Sequence, residues 1–547
     1  MTKHQSYDVV VMGGGLAGLT LALQLRQKFA DLSILVLERR IHPVPEAAHK
    51  VGESSVEIGA HYFDQVLGLK PHLDGAQIKK FGFRFFFNDK SEDLSKVTEL
   101  GASKVLMTPS YQIDRGIFEN YLAATAFERG IEFIDQAMVK NFELSENGAE
   151  HSIEFETKSS AQVSERTLVK ATWLIDACGR AGLIKRKLDL AQANEHHANA
   201  IWFRIEDRID VNEWSNDQTW IDRCTPPDRW RSTNHLCGEG YWTWLIPLAS
   251  GSHSVGIVAD ARIHPIETIN TFEKAMVWFK THQPQLYRDL DGKRDKLQDF
   301  AFFKKFSYGC KKVYSGAQRW ALTGEAGLFL DPFYSPGSDF IAIGNTFITE
   351  MIAQDRNKRT VELYSTIYEQ VYFSLYDNML TLYQDQYKLF GDSEVMPVKV
   401  IWDYTYYWGV MCQLFFQNRL TDLMTMGRMQ TTLASVQGLN KDMQLFLRAW
   451  GEVSRKSNPA QMLDQASLPW FAELNRGLKD ELTPAQFDER MRANLVQLNQ
   501  LAEQIVDKAL TAYPQLNATA IRTRIMQQRA SSPAQQEVVM PEVMLFA

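Results

Sequence analysis

Residues 7–38 read YDVVVMGGGLAGLTLALQLRQKFADLSILVLE. An apolar, β-branched run at 7–12 meets three glycines, then LTLALQLRQKF with helical periodicity, then a second β run, SILVLE, at 33–38. Strand, glycine turn, helix and strand make a βαβ unit. Inside it Gly13, Gly15 and Gly18 form GxGxxG. The first glycine allows the tight turn, the second lets backbone approach a pyrophosphate, and the third lets helix and strand pack closely. The helix then opens at Leu16 and Ala17, offering N–H groups and a positive dipole end to phosphate. Glu38 closes the second strand, at the offset where an acid accepts hydrogen bonds from the adenosine ribose. The stretch therefore predicts a dinucleotide site.

Outward from this unit, short strands are predicted at 83–88 (FRFFFN), 173–177 (WLIDA), 242–248 (WTWLIPL), 253–260 (HSVGIVAD) and 319–324 (RWALTG), and a helix at 115–129. From about residue 345 glycine and strand signals thin, and helical periodicity runs to about 510. Leu495, Leu498, Leu501, Ile505 and Ala509 fall on one face of an amphipathic helix. The tail after Met526 is polar and proline-containing, and is expected to be irregular.

Composition excludes several classes. A chain of 547 residues with 45% hydrophobic and 23% charged residues is ordinary for a globular enzyme. A net charge of −7 carries no footprint for nucleic acid. The five cysteines form no CxxC pair, so neither a metal site nor a disulfide framework follows. The N-terminus lacks the apolar core of a signal peptide. The apolar stretch Tyr404–Phe416 is too short to span a bilayer, so a soluble, cytoplasmic protein is expected.

FAD rather than NAD is indicated further along. YQIDR at 111–115 brings Arg115 to the start of a helix, WLIDACGR at 173–180 is a strand ending in a turn, and RWALTGEAGLFLDP at 319–332 is another. These resemble the segments that close around ribityl and pyrophosphate in glutathione-reductase-type FAD proteins. That family has Gly-Asp where this chain has Gly324–Glu325, which keeps the contact with a longer acid.

GYWTWLIPL at 240–248 places Trp242, Trp244, Ile246 and Pro247 in WxWxIP, and FLDPFYSPG at 329–337 fits FxxPxxSxG. VGESS at 51–55, with Ser54, resembles a flavin-contacting loop, and KFGFRFFFN at 80–88 a lysine-bearing strand. In this order the four segments resemble the flavin-dependent halogenases of tryptophan and phenol type, continuously over residues 7–350. The resemblance implies an α/β fold: a Rossmann-type FAD-binding body over 1–350, an interleaved antiparallel substrate sheet at about 80–110 and 195–310, and a helical C-terminal region at 351–547. It implies FAD used as FADH2, with O2 and a halide ion, chloride or bromide. FAD contacts fall to the glycine turn, Ser54, Arg115, Gly324, Glu325 and Ser338, and halide contacts to Ser335, Pro336 and Gly337. Trp242 and Trp244 alternate along a strand and face one side, where the resemblance makes them a wall between flavin and substrate. Hypohalous acid then reaches a lysine beside the substrate, matched here by Lys80. A lysine facing a dry tunnel favours its neutral form, and Lys79, its strand neighbour, faces the other way.

Two departures stand out. Where tryptophan halogenases carry Glu before the serine of SxG, this chain has Tyr334, which points to an already electron-rich substrate such as a phenol. Pro336 has no N–H, and Asp339 lies close by, so halide binding is expected to be weakened or shared. The partners implied are a separate NAD(P)H-dependent flavin reductase, because the sequence shows one GxGxxG only, and a small aromatic substrate, free or held on a carrier protein. A homodimer is allowed. The alternative readings are an aromatic monooxygenase or flavin-linked reductase without a halide site, and an FAD-binding accessory protein docking through 350–547.

Overall fold

The computed structural model describes residues 6–46, 52–87, 91–146, 148–158 and 164–531. Val51 of VGESS, Asn88 of the lysine segment and most of the tail lie outside them. The chain forms two units, each assembled from three segments: residues 1–77, 113–195 and 307–376, and residues 78–112, 196–306 and 377–547.

The first unit is built on the opening βαβ. Strand Ser6–Met12 lies parallel to both Ile34–Leu37 and Ser164–Asp176. Parallel pairing continues outward to Glu132–Ile134 on one side and Trp320–Leu322 on the other. Val9, Val10, Val11, Ile34, Leu35 and Val36 are all buried. Unbroken apolar runs are what a parallel sheet covered on both faces requires, and this explains why these strands do not alternate. The expected Rossmann-type body is present.

The second unit carries an eight-stranded sheet. It runs from Leu297–Phe303 through Ala198–Ile205, His253–Asp260, Tyr241–Pro247, Thr233–Gly238, Phe83–Phe87 and Thr98–Gly101 to Met462–Asp464. The expectation of an antiparallel sheet needs correcting at two pairings. Phe83–Phe87 lies parallel to Thr233–Gly238, and Met462–Asp464 parallel to Thr98–Gly101. Parallel neighbours arise there because these strands arrive from distant segments rather than through hairpins. One face buries Phe86, Leu236, Leu245, Val255 and Ile257 in a core that includes Met276 and Phe279 of helix Phe272–His282. The other carries Phe83, Phe85, His235, Trp242 and Trp244, as period-two alternation demands.

The division expected at residue 350 falls inside helix Gly337–Arg356. That helix cannot be cut from the flavin body, because Asn345 donates from Nδ2 to the Ala17 carbonyl at 3.1 Å and accepts from Thr323 Oγ1 at 2.6 Å. The later helices group instead with the eight-stranded sheet, to which this region also contributes the Met462–Asp464 strand. Tyr404–Phe416 is interior: helix Met396–Tyr406 runs through a π-helical turn, Tyr407–Cys412, into Gln413–Phe416. Among the described residues no helix is long and apolar enough to cross a membrane.

Candidate active site

The glycine turn distinguishes its three glycines by space. Gly13 has φ 111°, and a Cβ there would strike the Ala177 carbonyl. A Cβ at Gly18 would strike the Gly13 carbonyl, so strand and helix touch through bare backbone. A Cβ at Gly15 would meet nothing within 4 Å, leaving an open cradle. Helix Leu16–Lys28 begins there with no side-chain cap, so its first N–H groups are left to a ligand. Glu38 accepts from the Gly14 and Arg40 N–H groups at 2.8 Å each, which fixes the carboxylate at the cradle's edge while each oxygen keeps a lone pair. Open backbone, uncapped donors and a fixed acid suit the pyrophosphate and ribose of FAD.

Other expected contacts assemble in the same unit. Ile113 N–H donates to the Glu53 carbonyl at 2.7 Å, tying the loop that holds buried Ser54 to the segment ending in Arg115. Arg115 opens helix Arg115–Glu128 and bonds through Nε to Glu119 at 3.1 Å. Buried Asp176 accepts from the Cys178 and Ile184 N–H groups at 3.0 and 2.7 Å, setting the turn after its strand, and burial pushes its carboxyl upward. Gly324 takes φ 59°, a conformation that favours glycine. Glu325 Oε2 pairs with Arg180 Nε at 2.9 Å, which links the turn after Trp320–Leu322 to the turn after Ser164–Asp176.

The FxxPxxSxG segment ends in a sharp entry to a helix. Tyr334 and Ser335 are consecutive non-glycine residues at φ 68° and 52°, a pairing that costs on the order of 1–3 kcal/mol each and concentrates at functional sites. Pro336 follows as the N-cap of helix Gly337–Arg356, its carbonyl accepting from Phe340 N–H at 3.1 Å. The proline therefore sits at a helix start, where a missing N–H is structurally tolerated. Asp339 is buried and its Oδ1 accepts from Gly59 N–H at 2.8 Å. Ser338 packs tightly against that same glycine.

The second unit holds the lysine and the indoles. Lys80 is buried, with Nζ 3.5 Å from the Phe83 ring centroid, whereas Lys79 is exposed. Lys80 is not on the strand expected for it. It lies in the connection between Ile78–Lys79 and Phe83–Phe87, where Gly82 turns the chain at φ 70°. Trp242 and Trp244 are buried side by side with centroids 5.6 Å apart. Their indole N–H groups donate to Tyr387 OH at 3.0 Å and Ser254 Oγ at 3.1 Å, which satisfies them inside the fold. Ile246 and Pro247 complete the same strand.

Sequence reading overlooked His235. It stacks on Phe85 at 4.5 Å, meets Phe83 at 5.0 Å and lies 5.3 Å from Trp242. Burial, with the Lys80 charge second, holds its pKa down to about 3. Asn345 was also overlooked, although a carboxamide inside the largely apolar run IAIGNTFI is a recognisable signal of a buried hydrogen-bond hub.

A dinucleotide cradle of this form, on a Rossmann-type sheet, defines a dinucleotide-binding protein. The sequence model of the tryptophan halogenase family matches residues 86–389, and that of the NAD(P)-binding Rossmann-like domain residues 11–73. The chain belongs to the tryptophan halogenase family, whose members are flavin-dependent. Flavin-dependent halogenase chlA of Dictyostelium discoideum is 26% identical over 460 residues, covering 76% of this chain and 73% of that relative. The pyrrole-2-carbonyl peptidyl-carrier-protein brominase of Pseudoalteromonas luteoviolacea is 26% identical over 344 residues, covering 62% and 75%. Among solved structures, halogenase PltM superposes with TM-score 0.63 at 16% identity over 91% of this chain and 96% of its own, a likeness of fold.

Proposed function

We propose that this enzyme uses FADH2, O2 and a halide to halogenate an electron-rich, phenol-like ring, free or held on a carrier protein. Reduced flavin would come from a separate NAD(P)H-dependent reductase. The observation that carries the reading is Lys80, a lysine buried against an aromatic ring while its neighbour Lys79 stays exposed. Bound flavin supplies the oxidation of halide to hypohalous acid. Everything else falls to the chain. The glycine turn, Glu38, Ser54, Arg115, Gly324, Glu325 and Ser338 hold the cofactor. Ser335, the Gly337 N–H and the following helix N-terminus attract the halide, with one donor fewer because of Pro336. Trp242 and Trp244 screen the ring from the flavin. Lys80 receives the hypohalous acid, by hydrogen bond or, as the O–halogen bond breaks and water leaves, as a haloamine, and Tyr334 meets the substrate without a carboxylate.

Mass spectrometry tests this directly. A panel of phenols incubated with the enzyme, FAD, NADH, a flavin reductase and chloride or bromide should gain one halogen in place of one hydrogen. Products that gain oxygen instead, in either halide, would install the monooxygenase reading that Pro336 favours.

A further inference from the structure

The π-helical turn Tyr407–Cys412 interrupts an otherwise α-helical segment. Such a turn inserts a residue, changes the phase of the helix beyond it, and occurs frequently at functional sites. Here the change aligns Tyr404, Trp408 and Gln413, four residues apart in the α-helical part and five across the π turn. Tyr404 and Trp408 lie 4.7 Å apart by ring centroid, and Phe471 closes on them at 5.8 and 4.6 Å. Tyr404 also reaches Phe83 at 6.1 Å, the ring that lies under Lys80 Nζ. An aromatic wall thus extends from the lysine into the C-terminal helices.

The polar groups along this wall are left unmade. Gln413 is wholly buried, and among the described residues neither end of its carboxamide has a hydrogen-bond partner. The same holds for Trp408 Nε1 and for Asn475 Nδ2, both on wholly buried side chains. Asn475 is one turn beyond Phe471 on helix Pro469–Arg476, with its Oδ1 already accepting from Thr108 N–H at 3.0 Å. Buried polar groups are almost always paired, so these unmade ones call for a partner, either a ligand or an internal water. The set is uncharged. The buried Lys399 is committed elsewhere, to Asp403 at 2.6 Å and Gln444 at 2.9 Å.

We infer that Trp408, Gln413 and Asn475 form the polar end of the substrate pocket and recognise a neutral ring with two hydroxyl groups. Trp408 Nε1, Gln413 Nε2 and Asn475 Nδ2 donate to the hydroxyl oxygens, and Gln413 Oε1 accepts a hydroxyl proton. Three donors exceed the two lone pairs of one hydroxyl, so two hydroxyls are needed, and a carboxylate or a thioester carbonyl has no proton for Gln413 Oε1. This rests on the halogenase reading only for the ligand being the substrate.

Equilibrium binding to the FAD-loaded protein, without reductant, tests it, with resorcinol and 1,3-dimethoxybenzene as probes. The wild type should prefer resorcinol. Gln413→Leu should weaken resorcinol tenfold or more and remove that preference. It should also raise the Tm of the ligand-free protein, because two buried unmade groups disappear without loss of volume. Gln413→Met, which keeps the side chain's length, should do the same and covers the case in which leucine packs badly. Unchanged resorcinol affinity, or a lowered Tm in both variants, overturns the inference: an internal water or another protein group is then Gln413's partner. Resorcinol bound through Gln413 but never halogenated would leave this pocket standing and remove the halogenase reading.

Discussion

Lys79 and Lys80 are chemically identical and differ only in where the chain turns. Burial of one and exposure of the other makes a paired substitution decisive. Lys80→Ala should lower product halogenation by about 100-fold or more, the low end of what a positioned proton-transfer group contributes. Lys79→Ala should stay within about twofold, as a surface substitution does. Flavin occupancy and product mass are measured together, and equal losses in both variants would remove the lysine role. Pro336 allows a second test. Pro336→Ser restores an N–H and keeps a good N-cap, so the halide concentration for half-maximal turnover should fall about tenfold, the worth of one hydrogen bond to an anion. Residue-scale chemistry was legible in sequence where glycine or parity decides it: the three glycines, Glu38 and the indole pair. It was not legible where distant segments meet. Nothing local announces that Glu325 pairs with Arg180, or that Asp339 turns to Gly59.

At the scale of elements, the strand carrying the two indoles depends on its neighbour. A Cβ at Gly256 would run into the Trp244 indole, so that glycine is the slot in which the ring lies. Gly256→Ala should cost about 1–3 kcal/mol through overpacking, read as a shift of the urea midpoint at constant slope, together with altered tryptophan fluorescence. An unchanged midpoint would mean that the indole moves aside freely. Most elements could be read from periodicity, because parallel strands are continuous apolar runs and surface helices show one apolar stripe. The exceptions have a common cause. The Met462–Asp464 strand is three residues long and owes its existence to pairing with Thr98–Gly101. The π turn at Tyr407–Cys412 leaves no mark in a run that is buried all round.

For the whole molecule, buried histidines weaken the fold in acid, and His61 is held down to about 4 by burial. His235 and His253 are both held down to about 3, by burial first. Unfolded, each takes up a proton near pH 6.5 that the fold refuses, so their contribution to stability is complete above that pH and is lost on the way down. Each loses about 1.6 kcal/mol between pH 6.5, where the unfolded imidazole is half titrated, and pH 5, so the three together should lower the unfolding free energy by about 5 kcal/mol. Denaturant titrations at the two pH values measure this, and His235→Phe, which keeps an aromatic ring on Phe85, should remove about a third of the drop. A profile that is flat over this range would mean that these imidazoles charge within the fold. At the same scale, purified protein should bind FAD yet leave NADH unconsumed until a flavin reductase is added; rapid NADH oxidation alone would end the two-component reading. The two-unit arrangement was foreseen only in part, since residue 350 marks a change of texture but lies within a continuous helix.

The last strand of the eight-stranded sheet also sets a schedule for biosynthesis. Asp464, which ends it, bonds to Ser103 across 361 residues of chain. At ribosomal speeds of about 5–20 residues per second, Thr98–Gly101 waits about 20–70 s for its outer partner to be made. Throughout that interval a nascent chain displays an unclosed β edge beside Phe83, Phe85 and Phe87, the kind of template that recruits other chains. Yield in a heterologous host should therefore respond more to slower translation, lower temperature and holdase chaperones than to added FAD, and truncation before Met462 should drive the product into inclusion bodies.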